Sequence, residues 1–306
     1  MVGFTAPLCY LRAPHCHSHE KSDVFEPTDR LIRGVAREAS LRVVAARTTT
    51  LVNEGQRRHG LVAGGAEALA RGMTSLVLTV VMDKEWYRVS GQWMGRGPLG
   101  TLNVDVRAPG DLRAFATIPA FQGSIDQALE SGTLSVLRQK QSGHYTQGQV
   151  ALTTRDVDGD LESYLRTSDQ VPTVVRVLTS RGLDLPPREV VGVMVQALPG
   201  ASTASLEQAV APGLLDRTLS TEGSLEEVAA RAVPGLDIEW MGSTPLQWAC
   251  GCSADRVYAG VKLLGPSEID EMIELGEEPE VRCDFCTEVH VVGTDALRAI
   301  RSEFVD

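Results

Sequence analysis

Apolar and polar positions alternate with a period of two along much of the stretch from Thr28 to Gly200, and the alternation breaks into paired short runs. "RLIRGVAREASLRVVAA" reads as two strands around the polar "REAS". "WYRVSGQW" and "GTLNVDV" form a second strand pair, with "GRGPLG" as the hairpin turn; "TLSVLRQ" and "QGQVALT" form a third. "VPTVVRVLTS" and "REVVGVMVQAL" are β-branched runs separated by "GLDLPP", again two strands around a turn. One run differs. "GGAEALARGMTSLVLTVVM" is apolar on all sides and long enough for a helix that is mostly buried. Strand runs interrupted by a few helices predict an α+β fold with a mixed sheet and packed helices over residues 27–200.

The pattern changes after "LPGAS". Residues 204–232 have helical character, with a capping box at Ser224 and Glu227, but Pro212, Gly213 and Gly223 interrupt them. Helices this short depend on packing against a neighbour, so 201–243 is either a plain helical linker or a section whose order depends on the domains on either side. The remaining residues, 244–306, form a small unit. Ser253 can cap "ADRVYAGVKLL", Ser267 and Asp270 open "EIDEMIEL" ahead of Gly276, and Thr294 can cap "DALRAIRSEF". Between the last two, "VRCDFCTEVHVV" reads as a hairpin with its turn at C-x-x-C. About 60 residues with so little apolar mass need a staple.

Charge sharpens the division. The net charge of −11 is concentrated late: residues 199–243 carry −5 and residues 244–306 carry −8. An acidic tail argues against nucleic-acid binding, which requires cations to neutralise phosphate. No apolar run is long enough to span a membrane, and the start lacks the pattern of a secretory signal. The expected location is therefore cytoplasmic, where clustered cysteines more often bind metal than form structural disulfides. Residues 1–26 read as a disordered N-terminal extension. Their Cys9, Cys16, His15, His17 and His19 have no assigned role.

The other four cysteines lie as C-x-C at Cys250 and Cys252 and C-x-x-C at Cys283 and Cys286. In an extended segment residues i and i+2 point to one side, and a C-x-x-C brackets a tight turn, so both pairs can reach one tetrahedral ion. Four thiolates satisfy zinc and leave no open position for hydrolytic chemistry. Arg256, Lys262 and Arg282 are the local cations available to support thiolates without a metal. Losing one thiolate to an oxidant would weaken the site, and both pairs could then close as short-loop disulfides. A C-x-C bridge is strained and easily reduced, which suits a reversible change. His290 can compete as a ligand, although an ordinary strand histidine is the simpler reading; His59 and His144 read as surface residues beside turns.

"CGCS", followed by "EIDEMIELGEEPEVRCDFCTEVHVV", resembles the redox switch of the heat shock protein 33 family of chaperones. Upstream, "HYTQGQVAL", "SYLRTSDQVPTVVRV" with Ser168, Asp169 and Gln170, "VVGVMVQALPGA" and "MDKEWYRVSGQWMGRGPLGTLNVDV" are also similar to family segments. The resemblance covers about residues 28–306. It departs at "RAFATIPAF" around Phe115, and residues 1–26 have no counterpart. It implies a non-enzymatic, redox-regulated holdase that is inactive when reduced and zinc-bound. Cys250, Cys252, Cys283 and Cys286 would ligate one zinc per chain. Oxidation would form the disulfides Cys250–Cys252 and Cys283–Cys286, release zinc and unfold the switch and then residues 201–243, which the resemblance implies are a metastable helical linker. Homodimerisation and binding of unfolded or aggregation-prone client proteins would follow.

Other classes fit less well. In a thiol–disulfide oxidoreductase the C-x-x-C opens a helix after a strand, whereas "TEVHVV" is strand-like. A zinc ribbon for nucleic acid would have a basic face, and a zinc deaminase would need His-x-Glu and Pro-Cys-x-x-Cys, neither of which occurs.

Overall fold

The computed structural model describes residues 29–82, 85–179 and 189–304. The extension at 1–26 and the "GLDLPP" turn lie outside the described residues. The paired runs form antiparallel strands: β1 (Arg30–Ala36) with β2 (Leu41–Arg47), β3 (Trp86–Gly95) with β4 (Thr101–Arg107), β6 (Gly132–Lys140) with β7 (Tyr145–Ala151), and β8 (Thr173–Thr179) with β9 (Val190–Ala197). β5 (Asp111–Ala116) adds to β4, and β3 also pairs with β6. The apolar run becomes α2 (Ala63–Leu78), preceded by α1 (Thr49–His59), and a one-turn α3 (Ile125–Ala128) lies between β5 and β6.

Two sheets enclose α2. The first runs β10-β1-β2-β9-β8 and the second β11-β5-β4-β3-β6-β7, where β10 is Glu239–Pro245 and β11 is Gln247–Trp248. From Gly64 to Leu78 every residue of α2 except Glu67 is buried, which accounts for its lack of a polar face. Close approach needs glycine at two places. A Cβ on Gly72 would lie 2.7 Å from a Leu102 methyl, and one on Gly192 of β9 would lie 2.6 Å from a Thr74 methyl. Trp93 closes this core and donates its Nε1–H to the Val157 carbonyl at 3.1 Å.

The first sheet is covered on both faces, as the unbroken burial of β9 requires. Leu31, Val44, Ala46 and Met194 point toward α2. The alternate set, Ile32, Leu41, Val43, Ala45, Val191, Val193 and Val195, points the other way. That face packs on Leu206 of α5 (Thr203–Ala209), Leu214 of α6 (Pro212–Leu215) and Leu225, Val228 and Ala229 of α7 (Leu225–Ala232). The linker helices thus lie over an apolar sheet face. Ser224 caps α7 as its sequence pattern predicts, accepting from the Glu227 N–H at 3.2 Å.

Polar ties add to this cover. Arg217, between α6 and α7, reaches α4 (Val157–Thr167), where it pairs with Asp156 and, at 2.9 Å, with Asp158. Arg71 of α2 meets the same carboxylates at 2.7 and 3.3 Å and Glu67 at 2.6 Å. Burial and the neighbouring Asp156 charge push Asp158 up to about 7, against the pull of Arg217 and Arg71. Arg30 makes a two-pronged contact with Glu226 at 2.8 and 3.1 Å.

The tail contains α8 (Ala254–Lys262), α9 (Pro266–Leu275), a β12–β13 hairpin (Glu280–Arg282, Val289–Val291) and α10 (Thr294–Ser302). Its own small core is Val257, Val261, Ile269, Val292, Leu297 and Ile300. Ser253 caps α8, and left-handed Gly276 ends α9. Two expected starts differ. α9 begins at Pro266 after Gly265, because proline suits a first helical turn, and α10 is preceded by Gly293, with Thr294 already helical. The expected boundary at 243/244 falls inside β10, which belongs to the first sheet.

Candidate metal centre

The C-x-C is held at a sheet edge. β11 adds to β5 in parallel, Gln247 beside Asp111 and Trp248 beside Leu112, and the Ala249 N–H continues the ladder to the Leu112 carbonyl at 3.0 Å. Cys250 and Cys252 follow immediately, and Ser253 starts α8. The C-x-x-C is held by its hairpin. The Cys283 N–H donates to Glu288 O at 2.9 Å and the Thr287 N–H to Cys283 O at 2.8 Å, with Thr287 at φ 64°.

These two turns bring all four sulfurs within 4.8 Å of one another. The Cys250–Cys283 and Cys252–Cys286 Sγ separations are 3.6 and 3.3 Å. Zinc–thiolate bonds of about 2.3 Å in a tetrahedron place sulfurs about 3.8 Å apart, so the quartet fits a single ion. Cys286 is buried and the other three are partly exposed. The four-sulfur set supports a closed structural site rather than a catalytic one.

Positive charge around the sulfurs comes from Arg256, one of the three expected local cations, and also from Arg113 and Arg107 in distant parts of the chain. Arg113 of β5 donates to Cys250 Sγ at 3.5 Å and lies 4.0 Å over the Phe285 ring. A Cβ at Gly251 would stand 3.0 Å from the Arg107 guanidinium and 3.3 Å from that of Arg256. Lys262 instead pairs with Glu303. Buried Asp105 fixes Arg113 at 2.9 Å and Arg88 at 2.5 Å. Burial disfavours the Cys250 thiolate, but bonds from the Cys252 N–H, Arg113 and the Cys286 and Cys283 thiols outweigh it and bring Cys250 down to about 7. Burial pushes Cys286 up, and burial together with the Cys286 and Cys250 sulfurs pushes Cys252 up. One thiolate is favoured at the expense of its neighbours.

The C-x-x-C turn is also docked on the core. Phe285 meets Phe115 edge-on at 4.9 Å between centroids. Its carbonyl accepts from His59 Nε2 at 3.0 Å, and the Cys286 carbonyl accepts from Arg58 Nη1 at 3.2 Å. His59 is therefore half-buried in an interface, not a surface residue as its position beside a turn predicts. Burial lowers its pKa, and Arg282 and Arg58 add to the effect. The basic end of α1, Arg57-Arg58-His59, is the one signal in the sequence that could have located this contact. His144 is exposed.

A model of the family described as Hsp33 protein matches residues 29–292. The chain belongs to the Hsp33 family. Relatives named 33 kDa chaperonin support the assignment: that of Bacillus subtilis is 31% identical over 292 residues and that of Bacillus pumilus 30% over 293, in both cases with 90% of this chain and 99% of the relative aligned. The crystal structure of the 33 kDa chaperonin, an Hsp33 homologue, from Thermotoga maritima shares the fold, with a TM-score of 0.69 at 20% identity, covering 90% of this chain and 98% of that one. Among the described residues no helix of this Hsp33 member is long and apolar enough to cross a membrane.

Proposed function

We propose that this protein is a redox-regulated holdase chaperone, non-enzymatic and cytoplasmic, which captures unfolding client proteins under oxidative stress. One observation carries the reading beyond family membership. An apolar sheet face, Ile32, Leu41, Val43, Val191, Val193 and Val195 among it, is covered by short helices immediately ahead of the cysteine pairs. Surface of this kind is suited to unfolded chains and has to be concealed until needed.

Residues 27–200 act as the chaperone core, 201–243 as the metastable cover and 244–306 as the switch. Cys250, Cys252, Cys283 and Cys286 would hold one zinc, which supplies folding free energy to a tail with a small core of its own. Arg113 favours a thiolate at Cys250, the form that attacks a peroxide. Two peroxide molecules accept four electrons from the four thiols; two S–S bonds form, Cys250–Cys252 and Cys283–Cys286, and four waters leave. The Phe285 and Arg58 contacts are then lost with the C-x-x-C turn, and the cover loses its anchor on the C-terminal side. Homodimerisation of the uncovered form follows from the newly exposed apolar face.

A thiol–disulfide oxidoreductase is disfavoured, because Cys283 and Cys286 lie in a hairpin turn rather than at a helix start. The test compares reduced and peroxide-treated protein, with zinc release, thiol count and suppression of client aggregation followed together. Protection is expected only after oxidation. Equal protection in both states would remove the switch from this reading, and none in either state would remove the chaperone.

A further inference from the structure

A cavity in the tail adjoins the cysteines and has a character of its own. It lies between α8 and the β12–β13 hairpin, with a volume of about 390 Å³. That is within the range of about 300–1,000 Å³ that encloses small organic ligands. Val257, Val261, Leu264 and Val281 give it an apolar wall. Cys252 and Cys283, one from each pair, border it, and both are partly exposed. Arg113, Arg256 and His290 supply its polar groups. His290 Nε2 is shut off from solvent with no hydrogen-bond partner among the described residues. Gly260, inside α8, helps to keep the space open. Glycine weakens a helix interior and is kept there for a packing or functional reason. Packing does not demand it here, because a Cβ would meet no heavy atom within 4 Å. A longer side chain at this position would instead fill the cavity that Gly260 lines.

We infer that this cavity binds organic hydroperoxides and presents them to the cysteine sulfurs, a step that rests on the redox reading given above. The cavity thus selects the class of oxidant. An alkyl or aryl group displaces water from the valine and leucine wall, which hydrogen peroxide has no apolar surface to do. The hydroperoxy group finds polar partners in His290 Nε2 and the Arg256 guanidinium. A sulfur bordering the cavity attacks the terminal peroxide oxygen. The O–O bond breaks, the carbon-bearing oxygen leaves with a proton as an alcohol, and the sulfur becomes a sulfenic acid. The second thiol of the same pair then forms the S–S bond and expels water. One hydroperoxide and two thiols give one alcohol, one water and one disulfide. Arg256 stabilises the charge that builds on the departing oxygen.

The reduced, zinc-loaded full chain is treated in parallel with cumene hydroperoxide and hydrogen peroxide at equal concentration. Thiol loss is followed by alkylation and mass spectrometry, and cumyl alcohol, the product, by chromatography. Cumene hydroperoxide should consume thiols about tenfold faster, with one alcohol released for each disulfide. Added cumyl alcohol should slow that reaction by occupying the cavity and leave oxidation by hydrogen peroxide unchanged. Gly260→Leu should abolish the advantage of cumene hydroperoxide without altering the hydrogen peroxide rate. If Gly260→Leu fails to fold, Leu264→Gln decides, because Leu264 is already exposed; it should slow cumene hydroperoxide alone. Equal rates with the two oxidants in the wild type, or a variant that slows both alike, overturn the inference. If neither oxidant consumes thiols, the redox reading fails and the inference falls with it.

Discussion

The two faces of the first sheet are built from the same strands and are held in different ways. Toward the interior, Leu31, Val44, Ala46 and Met194 meet α2, a continuous 16-residue helix that the second sheet also grips. Toward the exterior, Ile32, Val43, Val193 and Val195 meet α5, α6 and α7, of 7, 4 and 8 residues, joined by irregular segments. Both faces are equally dry. What differs is how many independent constraints keep them so: the inner helix cannot leave without separating the sheets, whereas the outer cover is a string of short pieces pinned at a few points. Burial alone does not distinguish a permanent core from a removable one.

The largest test of this contrast is removal of the metal. In zinc-finger peptides bound zinc contributes on the order of 10 kcal/mol to folding, so stripping it, or substituting Cys286→Ser, should melt residues 254–302. Amide exchange there should approach the rate of an unstructured chain, while β3, β4 and β9 stay protected. Equal loss in both regions would mean that the core and tail fold as one unit. A smaller effect is expected at the pin between α6 and α7. Arg217→Met leaves Asp158 with Arg71 as its remaining cation, and breaking a buried pair in this way costs about 3 kcal/mol. Exchange should quicken over residues 203–232 and leave α2 unchanged.

The same cluster gives the contrast a pH dependence. Asp158 titrates at about 7 when folded, against 3.8 for the free side chain. A raised carboxyl stabilises the fold fully below the lower value and ceases to do so as pH rises through the higher one. Thermal stability should therefore fall as pH rises from about 4 to about 7 and level off above that, by at most about 1.4 kcal/mol per pH unit. Asp158→Asn should flatten that slope, and an unchanged slope would place the titrating group elsewhere. The smallest effect belongs to Ser224→Ala, which removes the α7 cap at a cost of about 1 kcal/mol. It should loosen α7 without altering the melting of the sandwich.

The strand pairs, the apolar helix, the capping box and the four-cysteine spacing were all legible because each is encoded within a short window. β3 and β4, for example, announce themselves through their own alternation and the glycines between them. What the sequence concealed is non-local. Arg113 lies 137 residues from the sulfur it touches, and its importance depends on Asp105 orienting it. His59 looked like a turn residue because nothing near it in the chain indicates that Phe285 packs there. β10 and β11 were missed for a related reason. "EWMGSTPLQW" has weak alternation, and its strands exist because β1 and β5 offer them edges. The departure from the family pattern at Phe115 proves to be part of the surface that receives the C-x-x-C turn.

Those two late strands have a consequence for the shape of whatever remains when residues 239–248 are withdrawn. β10 borders one sheet and β11 the other, so a single segment ten residues long closes an edge of both. Pulling it away leaves β1 and β5 each with a row of backbone N–H and C=O groups facing water, beside the apolar face described above. A bare edge next to a greasy surface is a template for any extended peptide, whatever its side chains, because the ladder it offers is made only of main chain.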